Sequence, residues 1–558
     1  MSDNVTIPRS RTDYLAAYLG LSWQADLDAG LRTWLEAFQE ALDNWQDDVC
    51  QRLLREIKQA PLTPEVEGLV RYVEGRWAEQ RGDLEHAVRA YQASLELNRE
   101  AEAVLRMAQV LGDLGLAHQA LGQLSEAEES LRSALAIYRA AAETGAIFEV
   151  LNDLSSVLTS QGNWSEARVC LDDALDRAAG ATDRAITLAN LGVWYQAQGR
   201  STEAEQHFQH ALEIFRAAGA QPNMASVLNN LGALALDQRR PEEATTHLTE
   251  ALAIYQSLGD WPNMVRMVGN LALLAQESGN AEGALRHYTE AIESVGDLAD
   301  ARTIAILYNH RALLHADALA WEAAAADLEQ SLNHLAQSGD QPTWADVLNN
   351  LGTAHRHLGR LDESLACYEQ ALALAEQLED RRRTGEITGN LGHLYDLQDN
   401  PDGALACYQT SCSLAQQIGD PVMEAVALLG LCSIAWQQGD LAMLEPLLDQ
   451  AWQLGETTDQ PDVLARVGWL RGDMALLKEN AAQTFQHYAQ AAVHAARAGE
   501  SLLVATLERI DMHCDILADS DRDGELAAAG QILRRTWAET GLLDEYPELH
   551  AYLDRYDP

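Results

Sequence analysis

A chain of 558 residues is too long for one globular core, because single cores stop growing at roughly 250–300 residues. Its hydrophobic content of 47% excludes general disorder and fits a packed, largely helical protein. The 85 acidic residues outnumber the 39 basic ones, and the resulting net charge of −46 disfavours binding to nucleic-acid phosphates or anionic lipid. Such a surface favours neutral or basic partners.

The cysteines and the N-terminus indicate a cytoplasmic protein. Seven cysteines are scattered without a Cys-x-x-Cys motif, which is typical of a reducing compartment and not of a disulfide framework. The N-terminal sequence MSDNVTIPRSRTDYL lacks the apolar core of a signal peptide. No stretch approaches the roughly 18 uninterrupted apolar residues of a membrane span.

Residues 1–65 are predicted to form an N-terminal helical cap. Trp23, Trp34 and Trp45 recur every 11 residues, which is nearly three helical turns, and therefore form one apolar stripe. Packing of this stripe onto the following helices is the favoured interpretation. Docking of a partner helix, or self-association with a second copy of the chain, is the alternative.

Residues 66–500 are predicted to repeat one helical hairpin about eleven times. Each copy has one marker residue, usually small, in its first helix, and successive markers lie 40 residues apart with a single spacing of 37. This period indicates a solenoid, in which each repeat buries its apolar face against its neighbours. The markers are Gly75, Gly115, Ser155, Gly192, Gly232, Ala272, Ala312, Gly352, Gly392, Cys432 and Gly472.

The repeat over residues 223–260 illustrates the local pattern. Apolar residues recur at helical spacing on both sides of a break at residues 237–241, which predicts two amphipathic helices joined by a tight turn. At the repeat boundaries, aspartates are placed to cap the next helix, and prolines fit its first turn. The aspartates are Asp183, Asp260, Asp340, Asp420 and Asp459, and the prolines are Pro222, Pro262, Pro342, Pro421 and Pro461.

The repeat resembles the tetratricopeptide repeat. The segments LGVWYQAQGRSTEAEQHFQHAL (191–212) and LGHLYDLQDNPDGALACYQTSC (391–412) carry the pattern of leucine, glycine, aromatic and alanine positions of that family. The 40-residue spacing is similar to a longer-repeat branch that includes kinesin light chains, Pins-type adaptors and bacterial peptide-sensing regulators. The resemblance implies an all-α, right-handed superhelical solenoid whose first helices line a concave groove, with helical caps at both ends.

A row of carboxamides is predicted to face this groove. Two residues before the marker, repeats four to nine carry an asparagine in five of six cases, although asparagine costs roughly half a kcal/mol relative to alanine inside a helix. A carboxamide has both donors and an acceptor, and can bind a peptide N–H and C=O together. We call Asn190, Asn230, Asn270, His310, Asn350 and Asn390 the asparagine row.

Two interpretations of the row remain open. The side chains bind the main chain of an extended peptide, or they bond to the adjacent helix and stiffen the array. The equivalent residues in the flanking repeats include Asp113, Asp153 and Gly430. Because the asparagines are confined to the middle repeats, a local binding site is favoured over a uniform structural role. Asn229 and Asn349, one residue before the row, add polar capacity. In the resembled branch, asparagines at this position hold extended peptides.

Neighbouring side chains are expected to select the ligand. Arg266, Arg356 and His393 lie within one or two turns of the row, together with Arg466 and two acids, Asp346 and Glu386. These signs are mixed and the groove has no lysine, so a simple cationic clamp for an acidic C-terminus is not indicated. We expect a ligand with both basic and apolar residues.

Residues 501–558 are predicted to be C-terminal capping helices. The sequence DSDRDG at residues 519–524 resembles the start of a calcium loop, but its twelfth position is Gly530 and not the bidentate glutamate of an EF-hand. An acidic solvent loop is therefore favoured over an incomplete calcium site.

The sequence points to binding and not to catalysis. It has no Walker, HExxH or GxSxG motif, and the pairs His207/His210 and His355/His357 lack further ligands at zinc spacing. We expect no cofactor, no metal, and no nucleic-acid or membrane partner. The sequence predicts a non-enzymatic scaffold or adaptor that binds an extended peptide or protein segment. A structural or self-assembling solenoid and a regulatory subunit of a separately encoded enzyme are the alternatives.

Overall fold

The computed structural model describes residues 27–43, 47–58, 62–296, 299, 301–338, 340–519 and 522–554. Throughout these residues the regular structure is helical, and none of them forms a strand. Contacts between Cα atoms divide the chain into two compact units. Unit 1 comprises Met1–Leu314 and Ala336–Ser338, and unit 2 comprises His315–Leu335 and Gly339–Pro558.

Unit 1 begins with α1 (Leu27–Asp43) and α2 (Asp47–Ile57), and continues as six consecutive helical hairpins. The hairpins are α3 (Pro64–Gln80) with α4 (Leu84–Glu100), α5 (Val104–Ala120) with α6 (Leu124–Ala141), α7 (Thr144–Ser160) with α8 (Trp164–Arg177), α9 (Ala181–Ala197) with α10 (Ser201–Ala218), α11 (Gln221–Asp237) with α12 (Pro241–Leu258), and α13 (Trp261–Glu277) with α14 (Ala281–Val295).

The residues of α15 (Ala301–Asp317) and α16 (Trp321–Ser338) are divided between the two units. Unit 2 continues with four hairpins and ends with four further helices. The hairpins are α17 (Gln341–His357) with α18 (Leu361–Gln377), α19 (Arg381–Leu397) with α20 (Pro401–Ile418), α21 (Pro421–Gln437) with α22 (Leu441–Thr457), and α23 (Pro461–Leu477) with α24 (Ala481–Ala498). The last helices are α25 (Glu500–Asp519), α26 (Asp523–Glu539), α27 (Leu542–Glu545) and α28 (Glu548–Leu553).

The first helices of the repeats share one register. Each of the odd-numbered helices from α3 to α23 has 17 residues, and the marker residue is always the twelfth, as Gly232 is in α11. The single spacing of 37 residues between Ser155 and Gly192 coincides with α8, which has 14 residues where the second helix α4 has 17. The repeat therefore keeps its first helix and shortens its second.

The marker is small because the two helices of a hairpin cross there. A Cβ atom added to Gly192 would lie 2.5 Å from Cε1 of Phe208, sixteen residues later in α10. Phe208 is fully buried, as are Ala204 and Ala211 on the same helix. Tyr91, Leu131 and Tyr368 hold the equivalent place against Gly75, Gly115 and Gly352. A glycine marker thus lets a large side chain fill the centre of each hairpin, which maximises buried apolar area.

The helix starts agree with the predicted prolines and with only some of the predicted aspartate caps. All five predicted prolines lie at the first or second position of a helix. The side chains of Asp260 and Asp420 accept hydrogen bonds from backbone N–H groups of the helices that follow them. Asp340 lies at the cap position before α17, but its side chain accepts no capping hydrogen bond. The prediction was wrong for Asp183, which lies inside α9, and for Asp459, which precedes the cap residue Gln460.

Tryptophans are buried near both ends of the described chain. Trp34 is fully buried beside Phe38, and its Nε1 donates a hydrogen bond to the carbonyl oxygen of Leu53 over 2.9 Å. Trp537 is equally buried, and its Nε1 donates to the carbonyl oxygen of Ala489 over 3.1 Å. Trp23 and Trp45, and part of the acidic loop at residues 519–524, lie outside the described residues.

Candidate functional site

The candidate site is the face of the first helices that carries their tenth residue. Several consecutive first helices contact each other within a unit, among them α7 with α9 and α19 with α21. Because the first helices also share one register, equivalent positions form rows across the repeats. Position 10 holds every member of the asparagine row, and these residues are all half-buried. We use the term groove face for positions 6, 9, 10 and 13 of the first helices.

Hydrogen bonds link the row to position 9 of the preceding repeat. Nδ2 of Asn190 donates to Oδ1 of Asn152 over 2.9 Å, and Nδ2 of Asn390 donates to Oδ1 of Asn349 over 2.9 Å. Nδ2 of Asn270 makes the same contact with Oδ1 of Asn229, at 3.3 Å. Asn350 also has an interaction partner. The carboxamides therefore form pairs between adjacent first helices, which is the contact that the stiffening interpretation of the row expects.

Two members of the row have no such pairing partner. In the same register, position 9 opposite Asn230 is Ala189, and position 9 opposite His310 is Gly269. Within the described part of the chain, neither Asn230 nor His310 makes a side-chain hydrogen bond. The His310 ring contacts Tyr288 edge-on, with 5.9 Å between ring centroids, and burial lowers its pKa.

Two aspartates continue position 10 beyond the N-terminal end of the asparagine row. Asp113 and Asp153 occupy position 10 of α5 and α7, in line with Asn190. The hydroxyl of Tyr72, at position 9 of α3, lies against Asp113 and accepts a hydrogen bond from Nε2 of Gln109 over 2.9 Å. Sequence reasoning recognised the asparagines by residue type. The shared position, and not the shared residue, identifies the two aspartates.

These aspartates lie in an acidic environment. Burial, together with the nearby carboxylates of Glu149 and Asp113, raises the pKa of Asp153 to about 7. Burial also raises the pKa of Asp113, although Tyr72 and Arg76 act in the opposite direction. The pKa of Tyr138 is raised by burial and by the charges of Asp113, Glu149 and Glu143. This end of the groove face therefore gathers the carboxyl groups of Asp113, Asp153 and Glu149, and Arg76 acts on Asp113 but not on Asp153.

The predicted selecting residues lie on the groove face or next to it. Arg266, at position 6 of α13, is exposed and donates to Oδ1 of Asn263 over 2.8 Å. In unit 2, burial together with the charges of Arg356 and Arg466 lowers the pKa of His393 to about 4. The His393 ring contacts Tyr408 edge-on, with 5.4 Å between centroids. His393 is therefore neutral at pH 7.

Two other predicted selecting residues in unit 2 are engaged by arginines. Asp346 accepts two hydrogen bonds from Arg383, at 2.7 and 3.1 Å, and Glu386 accepts one from Arg382, at 3.2 Å. The Asp346 pair is bidentate, which is a strong geometry for a guanidinium and a carboxylate. Their charges are thus compensated within the protein.

The residues of the described ranges contain no group of three or more histidines, cysteines, aspartates or glutamates arranged to hold a metal ion. None of the helices in the described part of the chain combines the length and the hydropathy that crossing a bilayer requires.

Several solved structures are similar to this chain. BtubC (BKLC) from P. vanneervenii is 22% identical with a TM-score of 0.35, over 42% of this chain and 92% of that chain. A Rap protein complexed with Competence and Sporulation Factor is 15% identical with a TM-score of 0.38, over 59% and 99%. Yeast Tom70 is 12% identical with a TM-score of 0.36, over 82% and 96%. None of the curated proteins matches the chain in sequence.

Family models give a more specific result. A model described as tetratricopeptide repeat matches residues 146–217, 223–295 and 343–417. A second model with the same description matches residues 107–144. The matched segments lie in both units and include the hairpins of every member of the asparagine row except His310. We conclude that this chain carries tetratricopeptide repeats.

Proposed function

We propose that the protein is a non-enzymatic scaffold or adaptor that binds an extended peptide or protein segment along the groove face. The coarser part of this statement, a scaffold for protein interactions, follows from the tetratricopeptide repeats. The finer part concerns the groove face and its carboxamides. It is supported by the hydrogen-bonding groups that the paired asparagines leave unused.

The pairs orient amides that keep hydrogen-bonding capacity. A carboxamide has two donor hydrogens and an acceptor oxygen. In the described structure the side chain of Asn270 uses one of its hydrogens, on Asn229, and Asn229 uses only its oxygen. The pair therefore offers the oxygen of Asn270 and the amino group of Asn229, which are the complements of a peptide N–H and C=O.

The spacing of the pairs fits an extended ligand. Packed helices lie about 8–10 Å apart, and an extended chain advances about 3.3 Å per residue, so one pair corresponds to about three ligand residues. Pre-oriented amides reduce the entropy that is lost on binding. Each pair can thus bind one peptide unit of the ligand without rearrangement.

A peptide-selection experiment tests this function. A random 12-residue display library is selected on the full chain, and the affinities of the selected peptides are measured by calorimetry. The triple variant Asn230→Ala, Asn270→Ala, Asn350→Ala should bind at least tenfold more weakly. The reason is that hydrogen bonds contribute about 0.5–1.5 kcal/mol each and 1.4 kcal/mol corresponds to a factor of ten.

The matched control removes three carboxamides from second helices. Gln330, Asn333 and Gln370 are exposed on α16 and α18, and their triple alanine variant should bind as the unchanged protein does. Circular dichroism should report equal helicity for both variants. Equal affinity of the two triple variants for the selected peptides would rule out the proposed mechanism.

We also propose a cytoplasmic location for the protein. None of the seven cysteines, all of which lie in the described residues, forms a disulfide bond, and five of them are buried. Free cysteines in this number are typical of a reducing compartment.

A further inference from the structure

At position 10, the carboxylate of Asp153 is the charged group that lacks a binding partner. In the register that pairs Asn190 with Asn152, position 9 opposite Asp153 is Gly112. A Cβ atom added to Gly112 would meet no atom within 4 Å outside its own helix. Among the described residues, the Asp153 carboxylate has neither a hydrogen-bond donor nor an ion-pair partner. The residue is half-buried, and the surrounding protein raises the pKa of its carboxyl group.

The surroundings of Asp153 add negative charge. Glu149 lies one turn earlier on α7, at position 6, and is exposed. Asp113 lies at position 10 of the preceding first helix, and Tyr138 approaches from α6. Arg76 acts on Asp113, but no cation contributes to the environment of Asp153 itself.

Two buried carboxylates elsewhere in the described chain, Glu74 and Asp473, are matched by cations. Glu74 lies 2.7 Å from Nζ of Lys58 and 3.0 Å from Nη1 of Arg71. Asp473 is held by Arg509 and by the hydroxyl of Tyr488. A buried charge without a partner costs free energy. The pKa of Asp153 is raised because its charged form is unfavourable in this environment. A cation beside the carboxylate would stabilise the charged form and lower the pKa.

We propose, on the basis of the function proposed above, that Asp153 and Glu149 bind a lysine or arginine side chain of the segment in the groove. The occupant is a basic residue because the site offers acceptors and negative charge from two carboxylates, and because Tyr138 adds an aromatic ring nearby. This contact would fix the direction of the ligand along the groove face of unit 1, because the basic residue of the ligand lies at the end formed by α5 and α7.

The opposite end of the groove face in unit 1 exposes two leucines. At position 13, Leu273 of α13 is 53% exposed and Leu313 of α15 is 43% exposed. Four repeats separate Asp153 from His310, which at about 8–10 Å per repeat corresponds to about 10–12 extended residues. The ligand therefore has a basic residue and an apolar residue separated by roughly that length.

The test uses the same random 12-residue library on the full chain. Peptides selected on the unchanged protein should be enriched in lysine or arginine at one end and in an apolar residue at the other. The variant Asp153→Asn removes the charge while preserving the size of the side chain, and should bind those peptides at least tenfold more weakly. Glu149→Gln, at an exposed position that does not affect packing, should weaken them in the same direction.

The control variant is Glu213→Gln, which removes one negative charge from an exposed position of the second helix α10 and should leave affinity unchanged. Selected peptides that need the asparagine row but show no basic enrichment, or that bind Asp153→Asn equally well, would overturn the inference and leave the proposed function standing. Failure to select any peptide that depends on the asparagine row would overturn both.

Discussion

Asn190 donates its Nδ2 hydrogen to Oδ1 of Asn152, and this contact joins two first helices at residues 38 positions apart in sequence. Asn152 is itself buried and donates its own Nδ2 to the carbonyl oxygen of Phe148, 3.0 Å away. The contact therefore continues a chain of hydrogen bonds from backbone to side chain to side chain. Its free end is the carboxamide oxygen of Asn190, which has no other partner in the described structure.

The pairing predicts different effects on protein stability when two asparagines of the same row are replaced by alanine. Asn190→Ala removes a hydrogen bond and should lower the free energy of unfolding by about 1 kcal/mol. Asn230→Ala removes none, and alanine is the better helix former by roughly half a kcal/mol, so stability should stay equal or rise slightly. Urea unfolding followed by circular dichroism measures both. Equal losses for the two variants would show that the pairs do not contribute.

Much of the fold could be predicted from the sequence because the repeat supplies the same signal many times. The marker spacing gave the hairpins, and the prolines at positions such as Pro222 gave the helix starts. Aspartate caps were predicted less well, because Asp183 and Asp459 are near helix starts but one or more residues out of register. A cap depends on the exact residue, whereas a period tolerates such shifts.

The candidate site was only partly predictable. Residue type singled out the asparagines and left bonding to the adjacent helix as one of two interpretations, but it did not identify Asn229 of the neighbouring repeat as the partner of Asn270. That contact depends on how two first helices are set against each other, which the sequence of one repeat does not specify. The same register places Asp153 opposite Gly112, and this is the relation that leaves the carboxylate unpaired.

Close helix crossing at the marker residues leads to a prediction about glycine. Gly192→Ala would place a Cβ atom 2.5 Å from Phe208 and should lower the free energy of unfolding by about 1–3 kcal/mol, the usual cost of overpacking. Gly112→Ala is the matched change in a first helix with open space, and should raise stability by up to about 1 kcal/mol. Thermal unfolding distinguishes them. A stabilising effect of Gly192→Ala would contradict the packing described here.

A charged network near the start of unit 1 predicts a pH dependence. Ion pairs with Asp83 and Glu74, at 3.7 and 3.6 Å, raise the pKa of His86 to about 9 from its ordinary 6.5. Because this pKa is raised by folding, His86 contributes stability fully below pH 6.5 and loses that contribution as the pH rises through 9.

The variant His86→Gln should therefore unfold at a lower midpoint than the unchanged protein at pH 6, and at nearly the same midpoint at pH 10. Glu74 acts at the other end of the range. Burial would raise its pKa, but His86 and Lys58 hold it at about 2, so its contribution is lost only in strong acid. A difference between the two proteins that does not change from pH 6 to pH 10 would exclude the His86 network.

Asp153 predicts a pH dependence of the same sign from a different cause. Burial, Glu149 and Asp113 raise its pKa from 3.8 to about 7, so the folded state is favoured below pH 3.8 and loses this advantage as the pH rises through 7. The variant Asp153→Asn carries no such charge. It should be more stable than the unchanged protein by about 1–3 kcal/mol at pH 8, and by much less at pH 5, because only the ionised carboxylate is penalised.

Thermal unfolding at the two pH values measures this difference, with Glu213→Gln as the control that should show no pH-dependent gain. A bound basic peptide should reverse the ranking at pH 8. It stabilises the ionised Asp153 of the unchanged protein by mass action and has no equivalent partner in the variant. If Asp153→Asn is no more stable than the unchanged protein at pH 8 without peptide, the carboxylate is already compensated, and the reason for placing a basic side chain there disappears.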